Sequence, residues 1–148
     1  MAKEKADKFF SENEQYKIVQ AIREWEKETT GEIKLHIEND CKTDPLLRAK
    51  ELFQQLKLHQ TKNRNAVLIY LAVQSHTFAV WGDTGINEKV DTDFWNTVAW
   101  IIEDHFKESL FLVGTLESVK LVGRKLVEFY PAGDGNNENE ISNDISFA

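Results

Sequence analysis

Cysteine, proline and basic residues are scarce in this chain of 148 residues. The one cysteine, Cys41, has no second cysteine to pair with, so the sequence gives no sign of an oxidising compartment. Lys and Arg number 18 against 25 Asp and Glu, which leaves a net charge of −7. This balance argues against a general nucleic-acid binder or a protein that docks on anionic membranes, because both need clustered basic residues.

Long apolar runs are also missing. No stretch approaches the roughly 18 to 20 apolar residues that cross a bilayer, and residues 1–8 are charged, unlike a secretory signal. We therefore expect a soluble cytoplasmic protein without a membrane anchor. Hydrophobic residues make up 41% of the chain, which is typical of one globular domain. Residues 1–131 are predicted to form it, followed by an acidic, flexible tail at 132–148 that is rich in Gly and Asn.

The hydrophobic periodicity predicts the order α-β-α-β-β-α-α. The predicted helices are residues 11–30, 45–56, 91–106 and 111–130, and the predicted strands are 32–38, 66–73 and 77–81. A helix joins the first two strands, so these should run parallel. The third returns after a short turn as an antiparallel hairpin. The fold class is therefore α/β, a three-layer α/β/α sandwich with a small mixed sheet and about four helices. The first strand alternates polar and apolar residues, which predicts a wet face near a sheet edge.

This topology predicts that polar residues meet at one end of the sheet. Glu32 and Asn65 begin the two parallel strands, and Asp83 follows the antiparallel one. Asp91 and Asp93 begin the next helix and can fold over the same end. Such oxygen-rich groups suit Ca²⁺ or Mg²⁺. The sequence thus predicts a divalent-cation site of five residues.

Ordinary structural roles explain the same residues. Asp91 or Asp93 can cap a helix, Asp83 can hold a tight turn, and Glu32 can pair with Arg64. The sequence has no P-loop, no GxGxxG fingerprint and no nucleophile elbow, and we assign no catalytic residue.

Four segments resemble the TPM domain family, which is named after a thylakoid lumen protein, a photosystem repair protein and a nematode receptor modulator. The segments are Thr-Gly-Glu-Ile at 30–33, Arg-Asn-Ala-Val-Leu-Ile-Tyr at 64–70, the Gly-Asp-Thr-Gly-Ile block at 82–90, and Asp-Phe-Trp at 93–95. The resemblance covers roughly residues 9–130, and it is strongest to stand-alone soluble bacterial members.

The resemblance implies an α/β/α sandwich with a Ca²⁺ or Mg²⁺ site at the sheet edge, and phosphatase activity in some members. The resemblance implies that Glu32, Asn65 and Asp83 are ligands of this cation. Arg64 stands where many members have Asp, and Ala66 where many have Gly, so Arg64 is a candidate anion contact.

Three functions follow as hypotheses. The first is a divalent-cation-binding module, the second is a metal-dependent phosphatase in which Arg64 neutralises phosphate charge, and the third is a protein-interaction scaffold that uses the tail. We expect a monomer with a cation, and on the third hypothesis a protein, as its partner.

Overall fold

The structure is a computed structural model, and it describes residues 5–133 and 140–148. A short 3-10 turn at Ala6–Lys8 precedes the helices and strands. The helices are α1 (Glu12–Glu26), α2 (Pro45–Gln55), α3 (Thr84–Asn87), α4 (Phe94–Lys107) and α5 (Phe111–Phe129), and the strands are β1 (Glu32–Glu38), β2 (Ala66–Ala72), β3 (Thr77–Gly82) and β4 (Ser146–Phe147).

The sheet has the strand order β3-β2-β1-β4. Strands β1 and β2 run parallel with Glu32 opposite Ala66, and β2 and β3 form an antiparallel pair with Val67 opposite Gly82. The predicted α/β fold class, with a parallel pair and a hairpin, is confirmed.

Helices cover the sheet on both faces. Odd-numbered residues of β1 and β2, such as Ile33 and Val67, pack against α1, α4 and α5 in the main core. Even-numbered residues of β2, such as Leu68 and Tyr70, pack against α2 in a smaller core. The two faces of β1 therefore meet different surroundings, because successive side chains of a strand point in opposite directions.

Local sequence signals account for where α1 and α2 begin. Ser11 and Glu14 form a reciprocal capping box at the start of α1, with distances of 2.9 and 3.1 Å. Asp44 caps α2, and Pro45 occupies its first turn, where a missing N–H costs nothing.

Some predicted boundaries were wrong. Helix α1 ends at Glu26 rather than at residue 30, α4 begins at Phe94, and the separate short helix α3 was not predicted. Strand β1 does not present a wet face at the sheet edge, since all seven of its residues are buried and it lies between β2 and β4.

The described part of the predicted tail packs on the domain. Residues 146 and 147 form β4 parallel to β1, with Ser146 opposite His36 and Phe147 opposite Ile37. Ile145 packs against the main core, and Ile141 packs against the smaller one. Residues 134–139 of the predicted tail lie outside the described residues. Residues 140–148 therefore contain a fourth strand and the segment that leads into it. They can pair there because one edge of β1 is not used by β2.

Candidate functional site

Three of the five predicted ligands lie at the same end of the sheet. The backbone N–H of Glu32 donates to the carbonyl of Asn65 over 3.3 Å, and the N–H of Asp83 donates to the carbonyl of Ala66 over 2.9 Å. The start of β1, the start of β2 and the end of β3 are thus neighbours, as the strand directions require.

The carboxylate of Asp83 already has a cationic partner. Arg64 donates to its two oxygens from Nε and from a terminal nitrogen, over 2.7 and 2.8 Å. Asp83 Oδ1 also accepts from the N–H of Thr84 over 2.7 Å, which caps α3. Arg64 therefore pairs with Asp83, and the sequence alternative in which it pairs with Glu32 was wrong. Both oxygens of Asp83 are used inside the protein.

The other two predicted ligands are exposed on the segment before α4. Asp93 is the N-cap residue of α4, but its side chain makes no capping hydrogen bond, and Asp91 contributes its backbone carbonyl to the N–H of Phe94. Among residues 5–133 and 140–148, no group of three His, Cys, Asp or Glu side chains is placed to hold a metal ion.

Glu32 instead meets a second carboxyl group, that of Glu26 at the end of α1. Glu26 Oε2 accepts from the backbone N–H of Ile33 over 2.8 Å, so it lies against the start of β1. The carboxyl groups of Glu26 and Glu32 are close enough for each to affect the pKa of the other. Glu32 Oε1 accepts from the N–H of Glu140 over 2.6 Å, while its buried Oε2 has no donor among the described residues.

The shared environment of these carboxyl groups favours a bound proton. Burial, reinforced by the charge of Glu26, raises the pKa of Glu32 to about 9. Burial also raises the pKa of Glu26 to about 7, although the hydrogen bond from Ile33 opposes the shift. At neutral pH the pair therefore holds a proton between two groups that would otherwise repel each other.

Glu32 begins a buried polar row on β1 that continues through Lys34, His36 and Glu38. Burial lowers the pKa of Lys34 and of His36, which favours their neutral forms. Burial alone would raise the pKa of Glu38, but hydrogen bonds from Arg48 and Tyr70 outweigh it and lower that pKa. The Tyr70 hydroxyl donates to Glu38 Oε2 over 2.5 Å.

The C-terminal segment supplies partners to the first three members of this row. Beyond the bond from Glu140 to Glu32, Lys34 Nζ donates to the carbonyl of Asp144 over 2.6 Å. His36 Nδ1 and the Ser146 hydroxyl form a hydrogen bond of 2.7 Å. The polar face of β1 is thus buried beneath residues 140–148.

Sequence reasoning missed Glu26, Lys34, His36 and Glu38 as members of this site. The alternation in β1 did show that these strand residues share a face, but it also suggested that water covers them. The signal that could have corrected this lies in the tail, where three large apolar residues interrupt a polar segment.

A separate groove of about 390 Å³ lies along β3, which is an edge strand of the sheet. Trp95 forms part of its lining, lies close to Gly82, and donates from its indole N–H to Asn87 over 2.9 Å. The residues that line this groove carry no charged side chain. The groove is therefore uncharged, and its described lining offers no carboxylate for a cation.

This chain is a small α/β/α domain with a mixed sheet, and a pair of carboxyl groups lies at the start of β1. The model of the TPM domain matches residues 4–125. The chain belongs to the TPM domain family, as its sequence motifs indicated.

The solved structures that are similar to this chain include two determined by NMR. The BA42 protein of the psychrophilic bacterium Bizionia argentinensis, solved by NMR, is 38% identical, with a TM-score of 0.88 over 97% of this chain and 99% of that one. The N-terminal domain of the cg2496 protein of Corynebacterium glutamicum is 13% identical, with a TM-score of 0.65 over 90% of this chain and 84% of that one, and shares the fold. No curated protein matches the chain. Among the described residues, no helix is long and apolar enough to span a membrane.

Proposed function

We propose that this TPM domain binds a divalent cation, Ca²⁺ or Mg²⁺, through the carboxyl groups of Glu26 and Glu32. The observation that carries the proposal is the contact between these two groups, in which Glu32 Oε2 is buried without a donor among the described residues. A buried carboxyl group beside a half-buried one favours a proton or a cation between them. Mg²⁺ is commonly held by one or two carboxylates together with water.

The charges around the pair support this proposal. The side chains of Glu140 and Asp144 add negative charge near Glu32 and Lys34, and Lys34 contributes the positive charge near Glu26. Among the described residues around the pair, carboxylates outnumber cationic groups, and the binding of a divalent cation would offset this excess. The cation would neutralise this charge and stabilise the docking of residue 140 on Glu32.

The ligand set that the sequence predicted fits a cation less well. Asp83 is bound to Arg64, and a cation there would have to compete with the guanidinium. Asn65 donates its side-chain amide to the Thr30 hydroxyl over 3.2 Å, and its buried Oδ1 has no hydrogen-bond partner within residues 5–133 and 140–148. Asn65 therefore remains a candidate additional ligand, and Asp83, Asp91 and Asp93 are not part of the proposed site.

The phosphatase alternative gains no specific support. The residue that would favour it is Arg64, whose guanidinium donates to Asp83 instead of facing an open pocket. We therefore do not propose catalysis.

Thermal unfolding with and without cation tests the proposal. The protein is melted at pH 6 and pH 8.5 with MgCl₂ or CaCl₂, or with KCl at matched ionic strength. At saturating cation and pH 8.5 we expect Tm to rise by about 8 °C, because a ligand at 100 times its Kd stabilises by about 2.7 kcal/mol and each kcal/mol shifts the Tm of a domain of this size by about 3 °C. The rise should be smaller at pH 6, where the cation must displace the shared proton.

The variants Glu32→Gln and Asp83→Asn separate the two possible sites. Glu32→Gln should lose the cation-dependent rise in Tm, and Asp83→Asn should keep it even though its own Tm is lower. The proposal is wrong if neither cation shifts the wild-type Tm at pH 8.5, or if Glu32→Gln responds like the wild type.

A further inference from the structure

Main-chain groups of residues 140–148 bond both to side chains of β1 and to its outer edge. The side-chain Oε1 of Glu32 accepts the N–H of Glu140, and Nζ of Lys34 donates to the carbonyl of Asp144. The carbonyl of Ile37 accepts from the N–H of Ala148 over 3.1 Å. Main-chain groups of this kind are present in any extended peptide, so this edge can recognise other chains by strand addition.

Side chains add a pattern to this main-chain recognition. The Ser146 hydroxyl bonds to the buried ring of His36, and the preceding residue, Ile145, packs against the main core. Asp144 lies near the Lys34 ammonium, and its charge favours the protonated lysine. The edge of β1 therefore suits a segment with an acidic, a large aliphatic and a hydroxyl residue in succession. These residues match the Lys34 ammonium, the main core and the His36 ring.

The regular strand pairing of residues 140–148 with β1 is short. The regular pairing with β1 covers only His36 opposite Ser146 and Ile37 opposite Phe147. Phe147 remains 37% exposed at the end of the segment. A short parallel pairing is a modest source of stability, and it leaves the segment open to exchange.

We propose that the outer edge of β1 is a peptide-binding site which residues 140–148 occupy within the chain, and from which an extended segment of a partner protein displaces them. The partner segment is expected to carry the sequence pattern acidic, aliphatic, hydroxyl, aromatic, which Asp144 to Phe147 display. The proposal does not depend on the cation site, because the contacts of Lys34, His36 and Ile37 exist without it.

The test uses the full chain labelled with ¹⁵N and an unlabelled synthetic peptide with the sequence of residues 140–148. The segment within the chain competes at an effective concentration on the order of millimolar, so the double variant Ile145→Ala, Ser146→Ala is titrated beside the wild type. Both changes remove contacts of the internal segment, and the variant should bind the peptide about tenfold more tightly. Peptide binding should shift the amide signals of Lys34, His36 and Ile37.

The controls are a peptide with scrambled order and the variant Leu47→Ala, at an exposed residue of α2. The scrambled peptide should not shift the β1 signals, and Leu47→Ala should bind the matched peptide as the wild type does. Unchanged amide signals elsewhere in the double variant show that it is folded. The proposal is overturned if the folded double variant shows no saturable shifts in β1, or if the scrambled peptide binds equally well.

Discussion

Two buried carboxyl groups near the same end of the sheet differ in what balances their charge. Asp83 receives two hydrogen bonds from Arg64 and one from a backbone N–H. The adjacent guanidinium therefore balances its negative charge. Glu32 receives one backbone N–H and faces the carboxyl group of Glu26. A buried charge is tolerated when it is paired, and otherwise the group takes up a proton or an ion.

This difference separates a structural carboxylate from a candidate ligand. Through its ion pair with Arg64, Asp83 links the end of β3 to the loop before β2, and it also caps α3. Glu32 has unused binding capacity at a buried oxygen. The two residues are equally acidic in the sequence, and only their neighbours distinguish them.

The largest expected effect is on the structure around Asp83. In Gly85→Ala, the new methyl group would lie 2.2 Å from the carbonyl oxygen of Asn63 and 2.6 Å from that of Arg64. Backbone atoms cannot move away cheaply, so we expect a loss of about 3 kcal/mol in the free energy of unfolding, measured by urea denaturation. Gly133→Ala is the matched control, because its methyl group meets nothing within 4 Å. Equal stability of the two variants would show that α3 does not pack tightly on this loop.

A smaller loss is expected when the balanced carboxylate itself is removed. Asp83→Ala loses the pairing with Arg64 and the cap of α3, and should lower the free energy of unfolding by about 2 kcal/mol. Arg64 is 45% exposed, so water can solvate it once it is unpaired. Urea denaturation of Asp83→Ala and Arg64→Ala checks this. A loss of less than about 0.5 kcal/mol in both variants would contradict a stabilising role for the pair.

The smallest effect is a pH dependence that arises at the unbalanced pair. The pKa of Glu32 rises from 4.5 to about 9 on folding, so the folded chain binds more protons between these pH values. The resulting stability is fully present below pH 4.5 and is lost as the pH rises through about 9. The free energy of unfolding should therefore fall by about 1 kcal/mol per pH unit from pH 6 to pH 8.

Glu32→Gln should reduce this pH dependence, because glutamine keeps a neutral side chain at every pH. The dependence that remains comes from Glu26, whose pKa burial raises to about 7. Glu24→Gln provides the control, since the Glu24 side chain is 67% exposed and pairs with Lys27 on the surface. Urea denaturation at several pH values measures all three proteins. Parallel curves for the wild type and Glu32→Gln would show that Glu32 titrates normally.

Sequence periodicity was sufficient to predict most of the fold. The near-continuous apolar run of β2 and the short connection to β3 required a buried strand and a hairpin, and both are observed. Strand β4 could not be predicted in this way, because Ser146 and Phe147 form a two-residue strand without periodicity. It exists because β1 has an open edge, which is a property of the assembled sheet.

The candidate site was predictable only in part. The strand directions correctly brought Glu32, Asn65 and Asp83 to one end of the sheet. They carried no information on which carboxyl group Arg64 would approach, because that depends on a loop in which Arg64 adopts a positive φ of 51°. Glu26 lies on a helix rather than a strand, and its contact with Glu32 follows from how α1 packs on β1.

Glu32, unlike Asp83, is a buried carboxyl group that has no cationic partner in the described part of the chain. The most direct measurement is an NMR titration of its side-chain carboxyl carbon, with and without Ca²⁺. The account predicts that the pKa of Glu32 is near 9 without the cation and falls when Ca²⁺ is added. A carboxyl group that titrates at its ordinary value near 4.5 and does not respond to Ca²⁺ would contradict it.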